Sequence, residues 1–259
     1  MTRTYVVTGS ASGIGKATLE MLVERGHDVI GVDIAGADIV ADLGTSAGRA
    51  RMVDEVTELS HGSIDGVLAV AGLSAPTADT VSVNYFGTVA TLDGLRPLLA
   101  KSPAPRAVAV SSMAALFPPD EQLIDALASG QERVARQRAD ELAMHPESAN
   151  LIYGSTKRAL SRWIRRVAPT PDWAGASIAL NAIAPGVVRT PMTVDLTATA
   201  EGRQRLADMV PMPLNGFFEA TDAAELLAWL AGEANAHMCG QIIYIDGGSD
   251  AVMRGDSVW

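Results

Sequence analysis

The sequence YVVTGSASGIG at residues 5–15 decides the fold. Its first four residues are β-branched or aromatic and predict a short strand. Ile14 begins a helix-length segment that continues to Arg25 and ends at Gly26. The glycines between the two elements predict a tight turn, because residues without a side chain form such turns most easily. The stretch therefore predicts a strand that turns directly into a helix, as in a parallel α/β sheet.

The same alternation of strand and helix continues along the chain. Further strands are predicted at 29–33, 39–41, 66–71, 107–111, 177–183 and 241–245, and helices at 47–59, 80–100, 151–168 and 223–231. Apolar strands of this length suit a parallel sheet that is buried on both faces. Because crossovers are right-handed, the sequence predicts an α/β fold with a doubly wound parallel sheet (a Rossmann fold) of about seven strands, in one domain over residues 1–259.

Two long connections interrupt this alternation. Residues 113–150 contain a charged, helix-prone segment at 120–144, and residues 191–220 are rich in Met, Pro and Phe. Connections of this length inside a compact domain are typically functional. We therefore predict a helical insertion in the first connection and irregular structure in the second.

The composition argues against several classes of protein. The formal net charge of −10 disfavours binding to nucleic acid or to an anionic membrane surface. A single cysteine, Cys239, excludes an intrachain disulfide, and the four histidines lack metal-ligand spacing, so no metal is expected. No apolar run approaches the length of a membrane span and the N terminus does not resemble a signal peptide, which predicts a soluble, cytoplasmic protein.

The glycine-rich turn predicts a dinucleotide site. Its backbone can approach a pyrophosphate closely, and the N–H groups at the start of the helix hold the charge. Asp33 ends the second strand, where a carboxylate can accept both ribose hydroxyls and would repel a 2′-phosphate. Because no Arg or Lys lies at 10–12, and Ile34 and Ala35 follow the aspartate, the sequence predicts NAD rather than NADP. The alternative for Asp33 is a turn residue at the end of a strand.

Further cofactor contacts are expected where the third and fourth strands end. Asp42 and Leu43 could meet the adenine edge, although an aspartate is common in turns. Ala71 and Gly72 could admit the cofactor, although close packing explains such small residues equally well. The predicted cofactor residues in this half of the chain are Gly9, Ser12, Gly13, Ile14, Gly15, Asp33, Asp42, Leu43, Ala71 and Gly72.

Tyr153 and Lys157 are four residues apart and therefore lie on one helix face. Reduction of a ketone needs a proton donor, but a free tyrosine, with a pKa of about 10, is a poor base for the reverse reaction. A nearby ammonium and the positive nicotinamide ring would both favour the phenolate and lower this pKa. The pair predicts a proton-transfer site, although such spacing also occurs by chance on surface helices.

These features resemble the classical type of the short-chain dehydrogenase/reductase family over essentially the whole chain. The motifs that carry the resemblance are residues 8–15, Asp33, Asn84, Ser111–Ser112, Tyr153, Lys157 and Pro185–Gly186. Residues 83–87, the long insertion and the tail at 250–254 are similar to the 3α-hydroxysteroid dehydrogenase/carbonyl reductase subfamily. The resemblance implies NAD-dependent interconversion of a secondary alcohol and a ketone, with hydride transfer at the 4-position of nicotinamide. A hydroxysteroid or another apolar carbonyl compound is the implied substrate.

The resemblance also implies roles for four catalytic residues. Ser112 would hydrogen-bond the substrate oxygen, with Ser111 as its competitor for this role. Tyr153 would pass the proton, while Lys157 would bind the nicotinamide ribose and lower the tyrosine pKa. Asn84 would hold a water that links the lysine to solvent.

The resemblance places further cofactor contacts at the end of the sixth predicted strand. Pro185 and Gly186 would turn the chain beneath the nicotinamide. Val188 would contact its ring or amide, and Thr190 its carboxamide. Tyr153 and Lys157 complete the predicted set of cofactor residues.

Three departures from the family pattern are visible. Residues 69–72 read Ala-Val-Ala-Gly where the family has Asn-Asn-Ala-Gly, which removes side-chain hydrogen bonds. Residues 213–218 lack the arginine that usually follows Pro-Leu-Gly, so the local entry into a helix can differ. Forty residues separate Ser112 from Tyr153, where the family has about a dozen.

The insertion and the second irregular stretch carry two further expectations. In this family, helices beside the insertion form the dimer and tetramer interfaces. Because a helical insertion at this place should obstruct the usual four-helix association, we expect a homodimer built on another surface. A solvated helical hairpin is the alternative. Residues 191–220 would form the substrate lid, and its apolar side chains would either line a cleft or pack on the core. Those side chains are Met192, Leu196, Met209, Met212, Leu214 and Phe217.

Two other functions compete with this hypothesis. A catalytically idle protein could sense NAD(H) with the same fold, but it would not need the proton relay of Asn84, Ser112, Tyr153 and Lys157. An enzyme with the same chemistry could act on a small polar or sugar-type carbonyl, or on an acyl-carrier thioester. The lid has few charges, which disfavours a sugar, and the acidic surface disfavours an acidic carrier protein.

Overall fold

The first strand lies inside a parallel sheet in the computed structural model, which describes residues 2–257. The strands are β1 (Thr4–Thr8), β2 (Asp28–Asp33), β3 (Ile39–Val40), β4 (Gly66–Ala69), β5 (Arg106–Val110), β6 (Ala179–Pro185), β7 (Val188–Arg189), β8 (Phe218–Glu219) and β9 (Ile242–Ile245). Seven of them form one parallel sheet in the order β3-β2-β1-β4-β5-β6-β9, and β7 pairs with β8. The predicted doubly wound sheet is confirmed.

The helices cover both faces of the sheet. They are α1 (Gly13–Glu24), α2 (Ser46–Leu59), α3 (Ala78–Val81), α4 (Thr88–Leu99), α5 (Glu121–Ala128), α6 (Glu132–Ala143), α7 (Pro146–Ala149), α8 (Leu151–Val167), α9 (Val194–Thr197), α10 (Ala200–Met209), α11 (Ala220–Ala231) and α12 (Ser249–Arg254). Neighbouring residues of β1 point to opposite faces of the sheet and pack in different hydrophobic cores. Val6 packs in the core that contains α2, α4 and α8, and Val7 packs in the core that contains α1 and α11. This alternation is the reason for the continuous apolar character of the strand.

The boundaries of three elements differ from the predictions for local reasons. The helix predicted at 80–100 is α3 and α4 joined by a π-helical turn, Ser82–Gly87, a geometry that often marks functional sites. β4 ends at Ala69 because the N–H groups of the next two residues donate to Thr8 Oγ1. β6 begins at Ala179 because Ser177 adopts a left-handed conformation with φ of 60°.

The insertion is helical, as predicted, but it is not a solvated hairpin. Leu123 and Leu127 of α5 and Ala135 and Ala139 of α6 are fully buried, and they belong to the same core as α8. Burial of this kind is the main source of stability in globular proteins. The insertion is therefore part of the domain core.

Two ion pairs connect the helices of the insertion, one between α6 and the start of α5 and one between α6 and α2. Arg138 donates to both carboxylate oxygens of Asp120, which also caps α5 by accepting from Leu123 N. Arg49 forms a bidentate pair with Glu132, with both distances at 2.7 Å. The hydrogen bonds from the two arginines hold the pKa of each carboxyl below its usual range.

We expect these two pairs to make the protein sensitive to acid. A carboxyl whose pKa is lowered by folding stabilises the fold above its unfolded pKa, and this contribution is lost as the pH falls through the folded pKa. The double variant Asp120→Asn, Glu132→Gln should lower the free energy of unfolding by about 2–3 kcal/mol at pH ~7. The difference from wild type should shrink towards pH ~3.

Urea unfolding followed by circular dichroism at several pH values measures this difference. Glu147→Gln, an exposed change in the same insertion, is the control and should match wild type. A difference that stays constant with pH would contradict the electrostatic origin.

Residues 191–220, which the sequence predicts to form the lid and which keep that name below, contain α9 and α10 and, near their end, β8, which pairs with β7. Val188 of β7 lies opposite Phe218 of β8, so the two ends of the region are tied together. Within residues 2–257, no helix is both long and apolar enough to cross a bilayer.

Candidate active site

The cleft lies where β1 and β4 end, at the point where the strand order changes direction. Doubly wound sheets bind ligands at this switch point, because two crossovers diverge there and leave a crevice. Gly9, Ser12, Ala71 and Gly72 line both ends of the crevice. We call the end that contains Tyr153 the tyrosine half and the end that contains Asp33 the aspartate half.

The glycines of the first turn are required by its geometry. Gly9 has φ of +70°, and a Cβ there would lie 2.9 Å from Ala71 Cα. A Cβ on Gly15 would overlap the carbonyl oxygen of Gly9. Gly13 has φ of +51° and faces the side chain of Thr190 at 3.4 Å. The turn therefore presents bare backbone to the cleft at the start of α1, as an anion site requires.

Tyr153 and Ser112 both line the tyrosine half, and the serine hydroxyl lies close enough to the phenol to lower its pKa slightly. Ser112 Oγ accepts a hydrogen bond from Ala114 N at 3.1 Å. Ser111 Oγ instead lies 2.7 Å from Ser161 Oγ and ties β5 to α8. Of the two adjacent serines, Ser112 is therefore the one beside the tyrosine.

The ammonium of Lys157 lies deep in the same half. Its Nζ donates to Val110 O at 2.8 Å and stands 5.7 Å from the centre of the Tyr153 ring. Burial lowers the pKa of this lysine to about 8. A buried ammonium has three protons, so it can donate to a further acceptor in the cleft.

Burial raises the pKa of Tyr153, and the neighbouring Ser112 side chain offsets only part of the rise. The predicted lowering of this pKa includes the charge of a bound nicotinamide ring, so it stays a prediction for the cofactor complex. The sequence places the lysine on the same helix face, but it does not reveal how far the surrounding protein desolvates the phenol.

Asn84 is fully buried in the π-helical turn and holds the segment after β4. Its Oδ1 accepts from Leu73 N at 2.7 Å, and its Nδ2 donates to Leu73 O at 2.8 Å. A Cβ on Gly72 would lie 3.3 Å from Asn84 Oδ1 and 3.4 Å from Lys157 Nζ. The glycine therefore lets the amide and the ammonium lie beside the same short piece of backbone.

The aspartate half contains the other predicted cofactor residues. Asp33 Oδ2 accepts from Ala11 N at 2.9 Å, which ties the end of β2 to the glycine-rich turn. Asp42 Oδ1 accepts from Gly44 N at 2.8 Å, so this carboxylate does serve the turn that contains it. Leu43 lines the same cavity.

The residues after β6 complete the tyrosine half. Pro185, Gly186, Val188 and Thr190 all line it. A Cβ on Gly186 would lie 2.9 Å from Met212 Sδ, so this glycine admits a lid side chain. Every residue of the predicted cofactor set thus lines one half of the cleft or both.

Comparisons with known proteins agree with this geometry. Residues 3–124 match the family model for short chain dehydrogenase, and residues 144–250 match the model described as enoyl-(acyl carrier protein) reductase. The 3-alpha-hydroxysteroid dehydrogenase/carbonyl reductase of Comamonas testosteroni is 36% identical over 254 residues, which are 96% of this chain and 97% of that protein. The chain belongs to the short-chain dehydrogenase family. It is therefore an oxidoreductase.

Two other relatives of this dehydrogenase are similar along their whole length. The cis-4-hydroxycyclohexanecarboxylate dehydrogenase of Sinomonas cyclohexanicum is 31% identical, over 96% of this chain and 97% of that protein. The crystal structure of the 3-alpha-hydroxysteroid dehydrogenase from Pseudomonas sp. B-0831, complexed with NADH, is 38% identical with a TM-score of 0.88. The match covers 98% of this chain and 99% of that one.

The sequence did not indicate several residues that line the cleft. Val70 and Val110 lie at the ends of β4 and β5 and could have been expected from that position. Thr193 could not, because the sequence around it does not predict a conformation. Val83 could have been found, because it precedes Asn84 in the motif. Arg136 could not, because it comes from the insertion and reaches the aspartate half only through tertiary packing.

Only some of the six apolar side chains predicted for the lid line the cleft or pack on the core, and the others are exposed. Met212 is buried beside Met113, Val187 and Val210, and so packs the lid onto the core. Met192 lines the tyrosine half and is 43% exposed. The remaining large apolar side chains of the lid that are exposed are Val194, Leu196, Met209 and Leu214.

Proposed function

We propose that this dehydrogenase uses NAD(H) to interconvert a secondary alcohol and a ketone, with a hydroxysteroid or another apolar carbonyl compound as substrate. The observation that carries the proposal is that Ser112, Tyr153 and the buried ammonium of Lys157 line one end of a glycine-lined cleft, with the ammonium 5.7 Å from the centre of the tyrosine ring. The relatives named as hydroxysteroid dehydrogenases support the substrate class.

The cleft fits NAD(H) in three respects. Bare backbone at Gly9 and Gly13 suits a pyrophosphate, and the carboxylate of Asp33 suits ribose hydroxyls. The ammonium of Lys157 suits the hydroxyls of the second ribose. Bound NADH supplies a hydride from the 4-position of its nicotinamide to the carbonyl carbon.

The side chains of the tyrosine half would handle the proton. Ser112 would hydrogen-bond the substrate oxygen, and Tyr153 would donate its phenolic proton to that oxygen as negative charge develops there. In alcohol oxidation the same phenol, once deprotonated, would accept the proton. The raised pKa of Tyr153 keeps it protonated at neutral pH, which favours the donor role.

Lys157 and Asn84 would support this proton transfer. The lysine would bind ribose and, by its charge, favour the phenolate when alcohol is oxidised. Asn84 would hold a water between the lysine and solvent, a role supported by its position beside Gly72 next to the ammonium. Its contacts with Leu73 also keep that segment of backbone in place.

The lid supports an apolar substrate over a sugar. Met192 reaches the cleft, and further apolar side chains of the lid are exposed near it in sequence. Methionine adapts to irregular apolar shapes, which suits a bulky ketone. A sugar would leave its hydroxyl groups without partners against such a surface.

The experiment that tests this function is NADH oxidation over a panel of steroid ketones, quinones, small diketones and keto-sugars. We expect turnover with steroid ketones or other apolar ketones, and we expect the highest kcat/KM of the panel for a member of this group. Preference for a keto-sugar would assign the small polar substrate class instead. If NADH binds but no panel member turns over, the non-catalytic alternative is favoured.

We further propose that the enzyme is a homodimer whose interface differs from the usual one of the family. The insertion supports this, because Leu123 and Leu127 of α5 pack in one core with Ile152 and Leu160 of α8 and so cover that helix. A cytoplasmic location is also proposed, in agreement with a chain that carries one cysteine.

Light scattering during gel filtration measures the assembly. We expect a molar mass close to that of two chains of 27.0 kDa each. A mass close to that of four chains would contradict the idea that the insertion blocks the family's four-helix association. A mass close to that of one chain would contradict the proposed dimer.

A further inference from the structure

Helix α6 of the insertion forms part of the wall of the nucleotide cleft. Arg136 on this helix lines the aspartate half together with Asp33, Asp42, Leu43 and Val83. These four residues end β2, follow β3 or lie on the π-helical turn, whereas the arginine comes from far along the chain. The insertion therefore adds a cationic side chain to a cavity that otherwise contains carboxylates.

Direct contacts hold the guanidinium of Arg136 at this place. Its Nη1 donates to Ser82 Oγ at 2.6 Å, and Nη1 and Nη2 both lie 3.1 Å from Asp79 Oδ1. Ser82 begins the π-helical turn, one residue before Val83. The arginine is thus fixed against the turn that lines the cavity.

A second arginine connects α6 to the loop after β3. Arg49 is paired with Glu132, one helical turn before Arg136, and it donates to Leu43 O at 2.8 Å and to Ser82 O at 3.1 Å. Only a small part of this arginine is exposed, and its bidentate pair has a defined geometry. The position of α6 beside the aspartate half is therefore set by the pair of the largely buried Arg49 with Glu132 and by the hydrogen bonds of Arg136 to Ser82 and Asp79.

We propose that Arg136 is an adenine-binding residue of this enzyme, supplied by the insertion. The inference rests on the proposed use of NAD(H). A planar guanidinium can stack on an aromatic base, and its remaining N–H groups can donate to ring nitrogens. An exposed pair with Asp79 would contribute little by itself, so the placement in the cavity wall is the informative feature.

Binding measurements on three variants test the proposal. Arg136→Ala removes the guanidinium, and Arg136→Lys keeps the charge beside Asp79 but removes the planar face. Arg133→Ala is the matched control, because this arginine is exposed on the same helix. Calorimetry with NADH, with NADPH and, in a separate direct titration, with AMP compares the two whole cofactors with the adenosine half alone.

We expect Arg136→Ala to raise the Kd of NADH and of AMP by the same factor, about five- to tenfold. Arg136→Lys should lose most of the same affinity, and Arg133→Ala should stay within about twofold of wild type. The lysine variant keeps the ion pair, so it separates a loss of cofactor contact from a loss of folding.

Three results would overturn the proposal. Unchanged affinity in Arg136→Ala would show that the side chain does not bind the cofactor, and a loss for NADH without a loss for AMP would place its action outside the adenosine half. A loss confined to NADPH would assign it to a 2′-phosphate. If the wild type itself fails to bind NADH, the proposed function fails, and the effect on AMP still decides whether Arg136 serves an adenosine site.

Discussion

Tyr153→Phe is expected to lower kcat for ketone reduction by about 10³-fold while the Kd of NADH stays within about twofold. The phenolic hydroxyl is the group that would protonate the substrate oxygen, and Tyr153 lines the same end of the cleft as the substrate-binding candidate Ser112. Phenylalanine keeps the ring but provides no proton. Stopped-flow or steady-state NADH oxidation, with calorimetry for binding, measures the two quantities separately.

Tyr5→Phe is the matched control for this variant. Tyr5 is a buried residue of β1 that does not line the cleft, and its hydroxyl accepts a hydrogen bond from Arg3 Nε at 3.0 Å. Its kcat should stay within about twofold of wild type. If Tyr153→Phe retained wild-type turnover, the assignment of the proton donor would be wrong, although the fold and the family would stand.

The pH dependence should differ between the two directions of the reaction. Burial raises the pKa of Tyr153, so the protonated form that reduction needs predominates at neutral pH. Alcohol oxidation needs the phenolate, and its rate should rise from neutral towards alkaline pH. Reduction should be nearly constant around neutrality and fall at alkaline pH.

Asp33→Ala is expected to reverse the discrimination between the two nicotinamide cofactors. The carboxylate lines the aspartate half and would both accept ribose hydroxyls and repel a 2′-phosphate. Loss of charge-assisted hydrogen bonds should raise the Kd of NADH about 10–100-fold. NADPH should bind more tightly than it does to wild type, because the repulsion is removed.

Asp33→Asn separates this effect from damage to the glycine-rich turn. Its amide oxygen can still accept the hydrogen bond from Ala11 N, which the carboxylate accepts at 2.9 Å. Relief of NADPH exclusion in both variants would assign the discrimination to charge. A wild type that already prefers NADPH would refute the prediction of NAD from Asp33.

The site was predictable wherever its geometry depends on near neighbours in the chain. Gly9 and Gly13 adopt positive φ, and Tyr153 and Lys157 share a face because α-helices repeat every 3.6 residues. The lining of the cleft by Asp33 follows from the parallel strands, whose carboxyl ends meet at one edge. These features need only the local sequence and the general rules of the fold.

Other features depended on contacts between distant parts of the chain. Ser111 Oγ lies 2.7 Å from Ser161 Oγ, whereas the adjacent Ser112 lines the cleft with Tyr153. The direction of the pKa shift of Tyr153 depends on how far the assembled domain desolvates the phenol. Neither the contacts of the two serines nor the direction of this pKa shift can be predicted from a local sequence pattern.

The sequence by itself determined the doubly wound sheet, the glycine-lined turn and the pairing of Tyr153 with Lys157, because backbone sterics and helical periodicity act over a few residues. The tertiary structure alone decided that the insertion joins the core and brings Arg136 to the cleft. Long-range burial and ion pairing, such as that of Arg49 with Glu132, select one packing among many that the same helices allow.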